Sequence, residues 1–176
     1  MNNILEFFIR EPEREFHIRG LAKLAKKSPT TVSKYLELLR KEGLLKSKRK
    51  LNHLLFKANT ENPLFRETKL CYNLKTLRNS GIIEYLNEEF NEPEAVILFG
   101  SYAKAQDTPA SDIDILVVTT IKKDVGLKKF EKLLGHPIQL FLHSNSEIDK
   151  MKTKNKELLN SWVNGIVVSG YWELFR

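Results

Sequence analysis

The sequence predicts an α+β fold in two parts, on three observations. Apolar residues recur with helical spacing in the first third of the chain and again over residues 59–93. Residues 45–57 contain two short strand-like runs around a basic turn. In the second half, the apolar runs 95–99 and 115–118 flank a Gly-Ser step and an Asp-Ile-Asp sequence. Each part is long enough to close a hydrophobic core of its own.

The first third begins with three predicted helices. A short apolar stripe predicts a helix that ends before Pro12, since proline disfavours helix in the residue before it. A second helix is predicted around Leu21. Ser28 is expected to cap a third helix, with Pro29 at its first position and Gly43 at its end. Two short helices joined by a tight turn make a helix-turn-helix.

The stretch after these helices predicts a β-hairpin. Leu45–Lys48 and His53–Lys57 are its expected strands, with residues 49–52 as a basic turn. A helix pair followed by a β-hairpin resembles the winged helix-turn-helix of prokaryotic transcriptional regulators, over about residues 1–58. The resemblance implies a DNA-binding domain, which we place at residues 1–60.

Charge is distributed unevenly along the chain. Residues 1–60 contain 14 Lys and Arg against 6 Asp and Glu, while residues 61–176 contain 15 against 16. A basic excess confined to one part is typical of a polyanion-binding module. The residues expected to contact duplex DNA lie on the third helix and on the hairpin: Thr30, Thr31, Ser33, Lys34, Lys46, Lys48, Arg49 and Lys50. The alternatives are a protein-protein or dimerisation module with a solvated charged face, or a generally basic proteome.

Residues 61–93 are predicted to form a helical connector. Two helices are expected, with a break at Asn79-Ser80-Gly81, and they either join and brace the two domains or mediate dimerisation. A homodimer is expected by analogy with other winged-helix proteins. The single cysteine, Cys71, is expected to be a small buried hydrophobe. No apolar run approaches the roughly 20 residues that span a bilayer, so we expect a cytoplasmic protein without a membrane segment.

A Gly-Ser step and two aspartates carry the chemistry of the second half. Gly100 suits a tight turn after a strand, and Ser101 is expected to cap a helix whose N-terminus accommodates phosphate. Strand alternation predicts that Asp112 and Asp114 lie on the same face, within about 7 Å of one another. Two such carboxylates repel unless a cation lies between them, and Mg²⁺ binds carboxylates together with substrate phosphates. The pattern therefore predicts metal-assisted phosphoryl or nucleotidyl transfer.

Gly100 to Ala105, followed by Ser111-Asp112-Ile113-Asp114, resembles the signature of the DNA polymerase β superfamily of nucleotidyltransferases. The chain looks most like the minimal nucleotidyltransferases of archaea and bacteria over about residues 94–143, and we place the domain at residues 94–176. The resemblance implies a mixed sheet with flanking helices. It also implies one or two Mg²⁺ ions and an NTP substrate, with ATP as the expected donor.

The resemblance further implies the reaction and the role of each matching residue. A nucleoside monophosphate would pass from the NTP to a hydroxyl group of a nucleic acid, a protein or a small molecule, with release of pyrophosphate. Asp112 and Asp114 would be the catalytic residues and the metal ligands. The residues implied in nucleotide binding are Gly100, Ser101, Lys104 and Ser111. For Lys104, a solvated surface lysine is the alternative.

The chain departs from the family pattern at two positions. Ala105 stands where the family has glycine. Gln139 stands on the predicted strand 137–142 where the family usually has a third carboxylate, and an amide can neither take a proton nor neutralise a second metal. Of the nearby ionisable groups, His143 shares a face with Gln139 by alternation, either as a base or as a surface histidine. Other nearby acids are poor substitutes by sequence position: Glu131, Glu147 and Asp149.

Three functions follow from these patterns. The first is a Mg²⁺-dependent nucleotidyltransferase. Some small members of the family act as antitoxins that modify a helical RNase toxin, so a protein acceptor of this kind is one alternative. The second is a DNA-binding transcriptional regulator that senses nucleotide and has lost turnover. The third is a scaffold that uses both domains for assembly.

Overall fold

The computed structural model describes residues 3–175, without the side chain of Asn3. The ends of the two predicted domains, Met1, Asn2 and Arg176, lie outside the described residues. The chain divides into two compact units, Met1–Lys69 and Leu70–Arg176. None of the helices formed by the described residues combines the length and apolar character needed to cross a bilayer.

The helices, in chain order, are α1 (Asn3–Arg10), α2 (Ile18–Ala25), α3 (Pro29–Lys41), α4 (Pro63–Asn79), α5 (Ile82–Glu89), α6 (Gly100–Ala103), α7 (Lys128–Leu134), α8 (Asn145–Lys154) and α9 (Lys156–Val163). The strands are β1 (Phe16–His17), β2 (Leu45–Lys50), β3 (His53–Ala58), β4 (Ala95–Phe99), β5 (Ile113–Val118), β6 (Ile138–His143) and β7 (Ile166–Gly170). The described part of the chain is therefore a mixed α+β structure.

The first unit combines α1, α2 and α3 with an antiparallel sheet of order β1-β3-β2. Its core is formed by fully buried apolar side chains such as Phe8, Leu21, Leu36 and Phe56. Ser28 caps α3 as expected, because its hydroxyl accepts a hydrogen bond from the N–H of Thr31. The two predicted helices around the tight turn are therefore present.

The hairpin of the first unit is longer than predicted. β2 continues to Lys50, so Arg49 and Lys50 are strand residues and the turn consists of Leu51 and Asn52 alone. Both turn residues have positive φ, +45° and +60°. Two left-handed residues match the natural twist of paired strands, which allows a two-residue turn where four residues were expected.

In the second unit, four strands form a mixed sheet of order β6-β5-β4-β7. β5 and β6 are parallel, whereas β4 is antiparallel to both β5 and β7. One face packs against α4, α5 and α7 through residues such as Leu86 and Phe130, and the other packs against α8 and α9 through Ile148 and Trp162. Both faces of the sheet are thus covered, which explains why β4 is buried along its whole length.

The two helices predicted in the middle of the chain are α4 and α5, separated at Gly81. Cys71, on α4, is exposed and not buried as predicted. The division between the two compact units falls inside α4, after Lys69. A separate connector over residues 61–93 stays a prediction.

Candidate functional site

Asp114 lies against the backbone of Gly100 at the start of β5. The antiparallel register of β4 and β5 places Phe99 opposite Asp114, and Gly100 follows Phe99 directly. Gly100 has φ of +72°, and a Cβ atom there would lie 2.0 Å from Oδ2 of Asp114. Glycine is therefore required for two reasons: its backbone is left-handed, and the carboxylate occupies the space of a side chain.

Asp112 is held by the side chain of Gln139. The parallel register of β5 and β6 pairs Asp114 with Gln139, and Nε2 of Gln139 donates a hydrogen bond of 2.6 Å to Oδ2 of Asp112. The position predicted to lack an acid is thus part of the same cluster. Its amide satisfies one carboxylate oxygen and adds no charge.

The electrostatics of this pair are unfavourable without a cation. Burial raises the pKa of the Asp114 carboxyl above its ordinary value, and the negative charge of Asp112 raises it further. No cationic side chain contributes to that shift. The ionised form of the partly buried Asp114 is therefore destabilised, and a bound cation would remove this cost.

The donor set fits one Mg²⁺ ion. Asp112 and Asp114 offer carboxylate oxygens, which Mg²⁺ prefers, and Mg²⁺ commonly completes its shell with water and substrate phosphates. Among residues 3–175, no third His, Cys, Asp or Glu joins them in a cluster that could bind a metal. The two carboxylates would therefore hold at least one ion, and the second ion that the resemblance allows stays a prediction.

Ser101 does not cap a helix as predicted. α6 begins one residue earlier, at Gly100, with Phe99 at the N-cap and no side-chain hydrogen bond there. The half-buried Ser101 hydroxyl makes no hydrogen bond within the described part of the chain, and Lys104 is exposed just after α6. Ala105, which replaces the family glycine, has φ of +53°, so the backbone keeps a conformation that glycine would adopt at lower cost.

Ser111 closes the loop that carries Asp112. Its hydroxyl accepts a hydrogen bond of 2.9 Å from the N–H of Thr108, and its own N–H donates to the carbonyl of Thr108 at 3.0 Å. Nδ1 of His136 lies 2.8 Å from the carbonyl oxygen of Ser111. The side chain predicted to bind nucleotide is thus engaged in the turn that places Asp112 before β5.

Of the ionisable groups considered as substitutes for a third acid, Glu131 is engaged by the backbone of β6 and His143 lies at the other end of that strand. Glu131 accepts a hydrogen bond of 3.1 Å from the N–H of Ile138. His143 ends β6 and pairs with Val118, whereas Gln139 pairs with Asp114 at the other end of the two strands. The shared face predicted by alternation therefore does not bring His143 to the aspartates.

Asn73 is a site residue that the sequence did not reveal. This α4 residue is 2% exposed, and its Nδ2 donates to the carbonyl of Tyr102 at 3.0 Å and to Oδ1 of Asp107 at 2.8 Å. It thereby ties α6 to the loop that leads to Asp112. No local pattern signals this role, because its partners are about 30 residues away and meet only in the folded chain.

In the first unit, three of the four predicted DNA contacts on α3 share one surface. Thr30, Ser33 and Lys34 line an open groove along this helix together with Glu37. Thr31 differs, because its Oγ1 lies 2.8 Å from the hydroxyl of Ser28 within the helix cap. Thr31 therefore serves the start of the helix.

The four predicted contacts on the hairpin fall into two groups. Nζ of Lys46 lies 2.5 Å from a carboxylate oxygen of Glu61, and Lys48 forms an ion pair with Glu15. Arg49 and Lys50 are exposed, and neither has a carboxylate partner among residues 3–175. The basic side chains that form no ion pair thus lie toward the tip of the hairpin, where Lys50 is also within electrostatic reach of Glu15.

Residues 80–168 match the family described as Polymerase beta, Nucleotidyltransferase. The match includes Gly100, Asp112, Asp114 and Gln139, and it covers half of the chain. No curated protein matches the chain. The family match, together with a mixed sheet that places Asp114 beside Gly100, confirms the polymerase-β-like domain inferred from the sequence. The chain therefore belongs to the polymerase β nucleotidyltransferase family.

Proposed function

We propose that this chain uses one Mg²⁺ ion to transfer a nucleoside monophosphate from an NTP, with ATP as the expected donor, to a hydroxyl group. The supporting observation is the carboxylate pair at the start of β5: burial and the charge of Asp112 raise the pKa of Asp114, and no cationic side chain offsets that shift. Carboxylates that serve only the fold are usually stabilised by cations or backbone donors. A carboxylate that burial and a neighbouring charge destabilise, as they do Asp114, is typical of a functional site.

Each residue around the two aspartates has a separate proposed role in the reaction. When bound, the metal would polarise the phosphoryl group under attack and stabilise charge on the leaving pyrophosphate. Asp112 and Asp114 would hold it, and the missing side chain of Gly100 allows Asp114 its position. The Ser101 hydroxyl and the Lys104 ammonium are available to the triphosphate oxygens, which accept charge-assisted hydrogen bonds.

Gln139 favours a second candidate function. Its amide cannot take a proton from the acceptor hydroxyl, and it engages one oxygen of Asp112. A site of this kind can retain nucleotide binding while turnover falls. The alternative is therefore a nucleotide-sensing, DNA-binding transcriptional regulator.

The first unit is proposed to be a winged helix that binds duplex DNA. Its order of helices followed by a hairpin, the exposed α3 face and the basic excess of residues 1–60 support this assignment. The chain would act as a homodimer in the cytoplasm. A helical RNase toxin remains the proposed protein acceptor if the chain is an antitoxin-like enzyme.

Transfer of labelled nucleotide distinguishes the enzyme from the nucleotide sensor. The protein is incubated with Mg²⁺, α-labelled NTPs and a lysate of the source cell, while NTP binding is measured separately by calorimetry. A labelled protein or RNA supports the enzyme. Mg²⁺-dependent NTP binding without any labelled acceptor supports the sensor. Equal NTP binding with and without Mg²⁺ would contradict the site itself.

The Gln139→Asp variant sharpens this test. A third carboxylate beside Asp112 is expected to increase Mg²⁺ affinity by about 10-fold, because it adds a charged oxygen ligand. Asn160→Asp adds the same charge on an exposed position of α9 and is expected to leave Mg²⁺ affinity unchanged. If labelling appears only in Gln139→Asp, the natural chain is the sensor.

A further inference from the structure

The tip of the β2–β3 hairpin has an unusual residue in its turn. Leu51 and Asn52 join the strands, with Lys50 paired to His53 directly below them. Both have positive φ, +45° for Leu51 and +60° for Asn52. Turns of this type favour Asn and Gly at both positions, since other residues adopt left-handed backbone at a cost. Asn52 suits its position, and Leu51 does not.

Leu51 is also poorly placed with respect to solvent. It is 87% exposed, the highest value among the large hydrophobic residues of the described chain. An exposed leucine gains nothing from burial, and a strained leucine costs the turn stability. Local choices that oppose the fold are expected where a residue serves binding.

The charges around Leu51 indicate what it binds. Arg49 and Lys50 precede it without a carboxylate partner among residues 3–175, while Lys46 and Lys48, farther from the tip, are paired with glutamates. The tip therefore presents one apolar side chain next to positive charge that is not held in an ion pair, with Lys50 also within electrostatic reach of Glu15. A ligand that complements the tip offers anionic groups close to an apolar slot.

Duplex DNA offers this combination in its minor groove. Phosphates line both edges, and stacked base steps accept leucine side chains as wedges that unstack and kink the duplex. A lipid surface is also anionic and apolar, but stable attachment to it requires a broader apolar face than one leucine. The geometry thus favours DNA.

We infer that Leu51 is a wedge that enters the minor groove and partly unstacks a base step, while Arg49 and Lys50 bind the flanking phosphates. The inference rests on the proposed DNA binding of the first unit and adds DNA deformation to it. Pyrimidine–purine steps such as TA unstack most easily. The wedge therefore selects duplexes by their deformability at that step.

The test uses the full chain and a duplex of about 30 base pairs that contains TA steps. In a set of such duplexes, 2-aminopurine replaces adenine at one step at a time, and its fluorescence rises when stacking is lost. The key variant is Leu51→Asn, because Asn suits both the left-handed turn and the solvent. Leu133→Asn is the matched control, since Leu133 is 65% exposed on α7 in the second unit.

The wild-type chain and Leu133→Asn are expected to raise the fluorescence at one labelled step. Leu51→Asn is expected to abolish that rise and to weaken binding by about 10-fold, with an unchanged salt dependence, because the phosphate contacts remain. The double variant Arg49→Ala, Lys50→Ala is expected to lower the slope of log affinity against log salt by about 2. Circular dichroism of Leu51→Asn checks that the unit is folded.

The outcomes separate the wedge from DNA binding itself. The wedge proposal is wrong if the wild type binds DNA but raises the fluorescence at no step, or if Leu51→Asn raises it equally. The proposal that the first unit binds DNA is then retained. If the wild type binds no duplex at low salt, both proposals fail. Binding to vesicles of phosphatidylserine and phosphatidylcholine without binding to DNA also overturns both.

Discussion

The carboxylates at the two ends of the parallel strand pair β5–β6 differ in their pKa values and in their partners. At the starting end, Asp114 has a raised pKa, because it is partly buried and faces Asp112. At the far end, Glu147 caps α8: it accepts hydrogen bonds of 2.6 Å from Nζ of Lys122 and 2.7 Å from the N–H of Ser144. These donors lower the pKa of Glu147 to about 2.

The difference separates an acid that serves the fold from one that we propose serves a ligand. Glu147 contributes to the structure of the isolated chain through a cation and a helix cap. Asp114 is destabilised by burial and by the charge of Asp112, and the proposed Mg²⁺ ion would compensate it. Substitution of the aspartates should therefore reduce ligand binding, whereas substitution of Glu147 should reduce stability.

The largest effect is expected from Asp114→Ala. Loss of one of the two carboxylates proposed to bind Mg²⁺ should reduce Mg²⁺-dependent NTP binding by about 100-fold or more, as measured by calorimetry with and without EDTA. Glu147→Ala is the control from the far end and should leave NTP binding unchanged. Equal losses in both variants would show that the comparison between the two ends is wrong.

The next effect is expected from Gly100→Ala. A Cβ atom at this position meets Oδ2 of Asp114, so the carboxylate must move, and we expect about a 10-fold loss of NTP binding together with about 2–3 kcal/mol of stability. Gly135→Ala has a similar positive φ of +76° with nothing within 4 Å. The control should therefore lose about 1 kcal/mol and retain NTP binding. Thermal unfolding and calorimetry check both values.

A smaller effect is expected on the melting temperature of the metal-free protein at neutral pH, where variants of Asp114 and Glu147 should differ in sign. Asp114→Asn removes the repulsion with Asp112 and should raise the melting temperature by about 2 °C, whereas Glu147→Gln should lower it by about 1 °C. Added Mg²⁺ should stabilise the wild type and Glu147→Gln, but not Asp114→Asn. A lower melting temperature for Asp114→Asn without metal would contradict the uncompensated pair.

The smallest effect is the pH dependence of the contribution that Glu147 makes to stability. Its folded-state pKa of about 2 lies below the ordinary value of 4.5, so its contribution to stability is present above pH 4.5 and is lost as the pH falls toward 2. The melting temperatures of wild type and Glu147→Gln should therefore converge across this range. Most of the side chain is accessible to solvent, which keeps the difference small. A constant difference down to pH 2 would show that the carboxylate is not responsible.

Local patterns in the sequence predicted most of the elements. The apolar spacing, Ser28 and Gly81 signalled helices and their ends, and the buried runs signalled β4 and β5. The hairpin was predicted with strands that were too short, because turn propensity did not anticipate left-handed backbone at Leu51. Ser101 was misplaced as a helix cap for a similar reason: Gly100 can start the helix itself, and nothing in its immediate sequence distinguishes the two starts.

The sequence by itself determined which groups carry the chemistry: two aspartates two residues apart, a glycine before them, and an amide where a third acid would stand. Only the tertiary structure decided what each of them touches. Strand register brings Gln139 to Asp112 and Asp114 to Gly100, and it takes His143 away from them. Periodicity reports which face a residue occupies, whereas contacts across a sheet depend on pairing between distant segments, which the folded chain alone establishes.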